Sequence, residues 1–161
     1  MIVVSNAGPI IALARIEHLS LLQDLYGEVV IPAAVQQEVT GLPADLPGAR
    51  EVRAASWIKV IGVSDSIAVS FLRERLDAGE SEAIVLVLER QADLLLIDEA
   101  RGRRIAQARE IPHIGTLGLL VLAKRRGLIE KVTPLLSQLL TVGFRMDSSL
   151  MQAVRRQAEE E

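Results

Sequence analysis

The sequence predicts a three-layer α/β domain with a mostly parallel central sheet, and two observations carry that prediction. The first is the pair of runs Leu94–Ile97, which precedes Asp98-Glu99, and Ile2-Val3-Val4-Ser5, which precedes Asn6. Short apolar, partly β-branched runs without alternation suit strands covered on both faces, the habit of parallel sheets with helices around them. The second is the alternation of such runs with helical patterns along the whole chain. In open α/β sheets, ligands bind outside the carboxyl ends of the strands. Asn6 and Asp98 therefore stand where this class of fold does its chemistry.

The elements follow in order. Pro9 can open a helix, and Ile10 to Leu25 carries apolar residues at helical spacing until Gly27. Val29-Val30-Ile31 is a second strand, and Pro32 starts a helix to about Val39. Gly41, Pro43, Pro47 and Gly48 mark the clearest loop. A brief helix can follow, then a strand around Trp57–Val63, with Ser64 as N-cap of a helix to about Leu76. Asp77-Ala78-Gly79 breaks the chain before a helix over 80–91 that is apolar on every face from Ala83 to Leu88, so buried all round. After Leu94–Ile97 come a helix over 99–109, a short strand at His113-Ile114, and helices near 117–126, 133–141 and 148–158. Gly127 and Gly143 read as helix stops.

The bulk composition bounds the rest. At 161 residues the chain reads as one domain over 1–161, with the helices of 133–158 packed on it. Half the residues are hydrophobic but only Tyr26, Trp57, Phe71 and Phe144 are aromatic, so the core must be aliphatic. A net charge of −3 does not mark a nucleic-acid binder, though it leaves room for local basic patches. Without cysteine, disulfides and thiolate metal sites are excluded. No apolar run approaches the ~18 residues of a membrane span, and the apolar start lacks a basic leader. A soluble cytoplasmic protein is the expectation.

Four places supply acidic-site side chains: Asn6, Glu38, the pair Glu80/Glu82, and Asp98. Each also has an ordinary role open to it. Glu38 could be a solvated helix residue, Glu80 a first-turn acid complementing the helix dipole, and Asp98 a helix N-cap. Glu82 is harder to explain that way, because six apolar residues follow it and an acid entering such an interior needs a cation or a wet cleft. Glu80 and Glu82 lie about 200° apart on a helix, so only one faces a given point unless Glu80 reaches in from an irregular first turn. Acids converging without His or Cys suit Mg²⁺ or Mn²⁺, ions that stabilise phosphoryl oxygens and activate bound water. Other acid-rich α/β sites fit less well. A receiver domain wants a lysine where His113-Ile114-Gly115-Thr116 offers none. An aspartyl phosphatase wants a second acid where Asn6-Ala7-Gly8 has none.

Taken together, VVSNAGPIIALARI at 3–16, VVIPAAVQQEV at 29–39, LDAGESEAIVLVLE at 76–89, LLLIDEARGRRIA at 94–106, IGTLGLLVLAKRRGLI at 114–129 and GFRMDSSLMQAV at 143–154 resemble the PIN-domain superfamily. The closest likeness is to its DUF3368-type branch of short prokaryotic proteins, over nearly the whole chain. The resemblance implies a PIN-like α/β/α fold and a metal-dependent ribonuclease, often the toxin of a VapBC-like toxin–antitoxin pair. It implies RNA as substrate, a small antitoxin protein as partner, and a homodimer. The family's first-strand aspartate would fall on Asn6, its further acids on Glu38, on Glu82 or Glu80, and on Asp98, with Thr116 beside the site. Asn6 is the departure: an amide oxygen can ligate Mg²⁺ but brings no charge. That departure leaves a second reading, a catalytically weakened PIN-like module that binds RNA or protein.

Arg101, Arg103 and Arg104 follow Asp98 closely, and their planar forks suit RNA phosphates as well as plain surface. Lys124-Arg125-Arg126 reads as charge compensation at a helix C-terminus. His18 and His113 are isolated from any ligand spacing and read as structural.

Overall fold

A computed structural model describes every residue from Met1 to Glu161. The chain runs β1 (Val3–Ser5), α1 (Ala7–Arg15), α2 (Ser20–Tyr26), β2 (Val29–Ile31), α3 (Ala33–Thr40), α4 (Ala49–Ala54) and β3 (Ile58–Val60). It continues through α5 (Ser66–Leu72), α6 (Ala78–Arg90), β4 (Leu94–Leu96), α7 (Ala100–Ala108), β5 (His113–Ile114), α8 (Thr116–Arg125), α9 (Thr133–Thr141) and α10 (Ser148–Gln157). The five strands form one sheet in the order β3-β2-β1-β4-β5, parallel throughout. This is the expected α/β/α architecture.

Alternation of side chains along the strands separates two cores. Val3, Val29, Ile31 and Leu96 point to the face covered by α1, α2, α8 and α9, where Ile10, Leu22, Leu120 and Leu136 are buried. Val4, Val30, Leu95 and Ile97 point to the other face, against Ile84 and Leu86 of α6 and Ala106 of α7. Each strand is three residues or fewer; β1, β2 and β4 are covered on both faces, whereas β5 is half-buried and the edge strand β3 is exposed at Lys59 and Val60.

Four details depart from the sequence reading. The apolar spacing over 10–25 is two helices: Glu17 turns left-handed at φ 61°, and His18 N–H closes the end of α1 on Leu13 O at 2.8 Å. The N-cap of α5 is Asp65, whose carboxylate accepts from Ala68 N–H at 2.9 Å, not Ser64. Helix α6 starts two residues before Glu80 because Asp77 caps it, accepting from Glu80 N–H at 2.8 Å. Its burial also stops at Val87, for Leu88 is 48% exposed. Both histidines are structural: their Nδ1 atoms pair with the carbonyls of Ile16 and Ile111.

One close approach explains the Gly-rich loop before α4. Gly48 has φ +85°, and a side chain there would collide with the backbone of Ala14 at the end of α1. No helix is long and apolar enough to cross a membrane.

Candidate active site at the strand ends

The sheet order reverses at β1. From there the chain passes to β2 and β3 on one side, while β4 and β5 lie on the other. The crevice at such a switch point is where open parallel sheets bind ligands. Here it is flanked by the first residues after β1 and β4. Asn6 N–H still donates to Leu96 O at 2.9 Å, so Asn6 is held by the sheet itself and cannot drift with a loop. Asp98 leaves β4 beside it.

The two strand-end residues are treated differently. Asp98 does not cap the helix that follows; Glu99 occupies that position without a side-chain bond. Both Asp98 oxygens turn instead to α8, accepting Thr116 N–H at 2.7 Å and the Thr116 hydroxyl at 2.6 Å. Thr116 is fully buried and orients this carboxylate. Asn6 is 5% exposed, and its amide oxygen Oδ1 is shielded from water with no hydrogen-bond donor in reach. An orphaned buried carbonyl is rare and asks for a partner.

Glu38 and Asn6 converge over Gly79. A Cβ placed there would come within 2.5 Å of Glu38 Oε1 and 3.2 Å of Asn6 Oδ1, so the bare glycine leaves room for both oxygens. Glu80 lies deeper. It is 6% exposed, and its Oε2 sits where a Cβ on Gly102 of α7 would be 3.2 Å away. Glu82 is elsewhere: its Oε1 accepts Ala34 N–H at 3.2 Å, at the start of α3. The positive end of that helix is the partner an acid in this position required. Of the pair, the fold brings Glu80 toward Asn6 and Glu38, and gives Glu82 a cap to make.

The acids of the crevice form no ion pair, although the Arg103 charge acts on Asp98. The ion pairs of the molecule, Lys124–Glu160 and Arg156–Glu161, are remote from the crevice. Burial pushes Glu80 up to about 8, helped by its hydrogen bond and charge repulsion with Asp77 and by Glu99 and Glu38. Burial, then Asp77, raises Glu38. Burial also raises Asp98, against the opposing pull of its Thr116 bonds and the Arg103 charge. As placed, no three acidic or imidazole side chains surround one point closely enough to hold a metal ion. The donor chemistry nonetheless fits a hard divalent cation: all donors are oxygens, none of the acids is in an ion pair, and Asn6 Oδ1 has no other partner.

Asn6, Glu38 and Asp98, but not Glu80, line a cleft of about 480 Å³ that also takes in Asp77, Glu99, Arg15 and the 142–145 segment before α10. Asp77 escaped the sequence reading because Asp77-Ala78-Gly79 looked like a simple break. The residue order of an N-cap three before Glu80 was the available signal. Arg101 and Arg104 are exposed on α7 and do not line the cleft, whereas Arg103 Nη1 lies near Gly115 and Asp98.

Acidic side chains thus gather at the β1/β4 switch point of a parallel α/β/α domain. The DUF3368 family model, described as a PIN domain, matches residues 2–160, and the chain belongs to this PIN-domain family. Comparison with curated proteins and with solved structures gave no match.

Proposed function

We propose that this protein is a PIN-family endoribonuclease dependent on Mg²⁺ or Mn²⁺, built as one domain over 1–161. The observation that carries the reading is the buried, donorless Oδ1 of Asn6 set beside carboxylates that form no ion pair within the protein. Asn6, Glu38 and Asp98 would hold the metal, with Glu80 or Asp77 completing the donors. Bound there, the ion would supply charge to a phosphoryl oxygen and lower the pKa of a water. The chain's own parts are then distinct. Thr116 fixes the rotamer of Asp98 through two short bonds. Glu80, with its pKa near 8, keeps its proton at neutral pH and loses it only when positive charge arrives. Gly79 keeps the space between Asn6 and Glu38 open. Glu82 supports the site indirectly by anchoring the start of α3, the helix that carries Glu38.

The family membership supports RNA as the substrate, and the finer reading is the toxin half of a toxin–antitoxin pair. The second reading, a weakened module that binds RNA or protein, draws on one feature: Asn6 contributes no charge where an acid would.

Asn6→Asp separates the two. Restoring an anion beside the ion, in a site partly screened from water, tightens the metal. The expected result is a gain of about tenfold or more in Mn²⁺-dependent cleavage of single-stranded RNA, of the size by which donor changes alter metal sites. The gain should vanish in Asn6→Asp/Asp98→Asn. No cleavage by either protein, with partner binding intact, would favour the binding module. A variant slower than the wild type would show that the amide is suited to this site and that the charge reasoning is wrong.

A further inference from the structure

We propose that Arg15, Phe144 and Arg145 form a subsite for the nucleotide next to the cleaved bond of a single-stranded RNA, the arginines on its phosphate and the ring under its base. The proposal rests on the nuclease reading above and names the part of the substrate its cleft grips. All three residues line the same cleft as Asn6, Glu38 and Asp98.

Arg15 is the pointed observation. It ends α1, where a basic residue commonly just complements the helix dipole from solvent. Here its Nε is shielded from water and meets no acceptor, and no carboxylate lies within ion-pair distance of it. A dry, unpaired guanidinium donor is costly to keep unless something supplies the acceptor. Arg145 approaches the same space from the segment between α9 and α10, exposed and without an ion pair. Two guanidinium forks without protein partners match phosphate oxygens, which accept two parallel bonds at once.

Geometry separates this subsite from the acidic floor. Arg15 follows Asn6 by nine residues of helix, about 13 Å along its axis. An arginine side chain leans back toward the helix N-terminus and spans only part of that distance, so its head suits a neighbouring phosphate better than one directly over Asn6. Phe144, half-buried against the core with its backbone N–H fixed to Leu139 O at 2.9 Å, lines the same cleft. Unpaired bases stack on such rings, which a duplex cannot do without unstacking. The acids would repel a polyanion and the arginines attract it.

The test is fluorescence anisotropy with a short labelled single-stranded RNA in metal-free buffer, where binding is read without cleavage. For Arg15→Gln and Arg145→Gln, the slope of log affinity against log salt should fall by about 0.7 for each arginine removed. Phe144→Leu should weaken binding about tenfold and leave the slope unchanged. With Mn²⁺ present, Arg145→Gln should raise KM while kcat stays near the wild-type value. Arg145 is exposed, so its variant reports even if Arg15→Gln disturbs α1, which a thermal melt would reveal. An unaltered salt slope in folded variants, or loss of a protein partner but not of RNA, would overturn the subsite. RNA that binds with the arginine-dependent slope but is never cut would overturn the nuclease reading and leave the subsite standing. Cleavage with KM and slope untouched by the variants would do the reverse. A wild type that binds no RNA overturns both.

Discussion

Glu80 shows how far one buried side chain can tie stability and ligand binding to pH. Its pKa rises from an ordinary 4.5 to about 8 on folding, first through burial and then through Asp77, Glu99 and Glu38. The unfolded chain therefore ionises this group before the folded one does. Its favourable contribution is complete below about pH 4.5 and is lost progressively as pH climbs toward 8. Glu80→Gln should raise the melting temperature at pH 8 and leave it nearly unchanged at pH 4. The gain should be on the order of 1–2 kcal/mol once solvent screening is allowed for. A calorimetric melt at both pH values checks this, and equal shifts at the two would remove Glu80 as the cause. Metal binding runs the opposite way. An ion needs the anionic forms of Glu38, Glu80 and Asp98, all raised, so Mn²⁺ affinity should increase from pH 6 to 8 with protons released, measurable as a buffer-dependent heat. In the same titration Asp98→Asn should bind weaker, and an equal affinity would take Asp98 out of the site. The position of Asn6 and Asp98 at the cleft is legible in the sequence because strand ends are local features, whereas Glu38, within α3, is singled out chiefly by the family resemblance. The choice between Glu80 and Glu82 is not legible there, since it depends on where α3 and α7 pack. Arg15 was hidden for the same reason: its cleft is closed by residues some 130 positions away in the chain.

At the scale of elements, carboxylates in this protein are used repeatedly to start helices. Asp65, Asp77 and Asp147 cap their own helices, while Glu82 caps α3 from a distance. The densest case is Glu160, after α10, which receives Val132 N–H at 2.7 Å, Thr133 N–H at 2.9 Å and the Thr133 hydroxyl at 2.7 Å at the start of α9. Lys124 of α8 adds an ion pair at 2.9 Å and also reaches the Ala158 carbonyl. Burial disfavours the charge, but these donors outweigh it and pull the Glu160 carboxyl down to about 2. Stabilisation from this clasp is present above about pH 4.5 and lost as pH falls toward 2. Glu160→Gln should cost about 1 kcal/mol at pH 7, the usual worth of a helix cap, and nothing near pH 2. Urea melts at the two pH values decide it. Helix and strand order was legible throughout, because three-residue apolar runs punctuated by Gly, Pro and Asp leave little choice. Helix ends were less so. The break at Glu17 interrupts an unbroken apolar spacing with a left-handed residue and the closure of His18 N–H on Leu13 O, neither of which an apolar pattern signals.

For the molecule as a whole, the apolar residues of the 10–25 stretch go into the core: Ile10, Leu13, Leu19, Leu22 and Leu25 are all buried. After Met1, the most exposed large apolar side chains lie on α5, where Ile67 is 70% and Phe71 69% exposed one turn apart, with no residue of that helix buried. A homodimer, if it forms, should use that face, and Ile67→Glu/Phe71→Glu should then give a monomer by light scattering. A wild type already monomeric at micromolar concentration would end the idea. The sheet order has a different consequence, for the time the chain takes to fold. β1 sits at the centre of the sheet, yet one of its two neighbours, β4, lies far along the chain: Ile2 N–H meets the Asp93 carboxylate across 91 positions. Loops of that length close slowly, and parallel pairing offers no short hairpin to seed it. Until β4 arrives, the free edge of β1 is an unpaired template of the kind that recruits other chains. The crevice between these two strands is thus among the last features to form, and a newly made chain has no working site while its middle is still open.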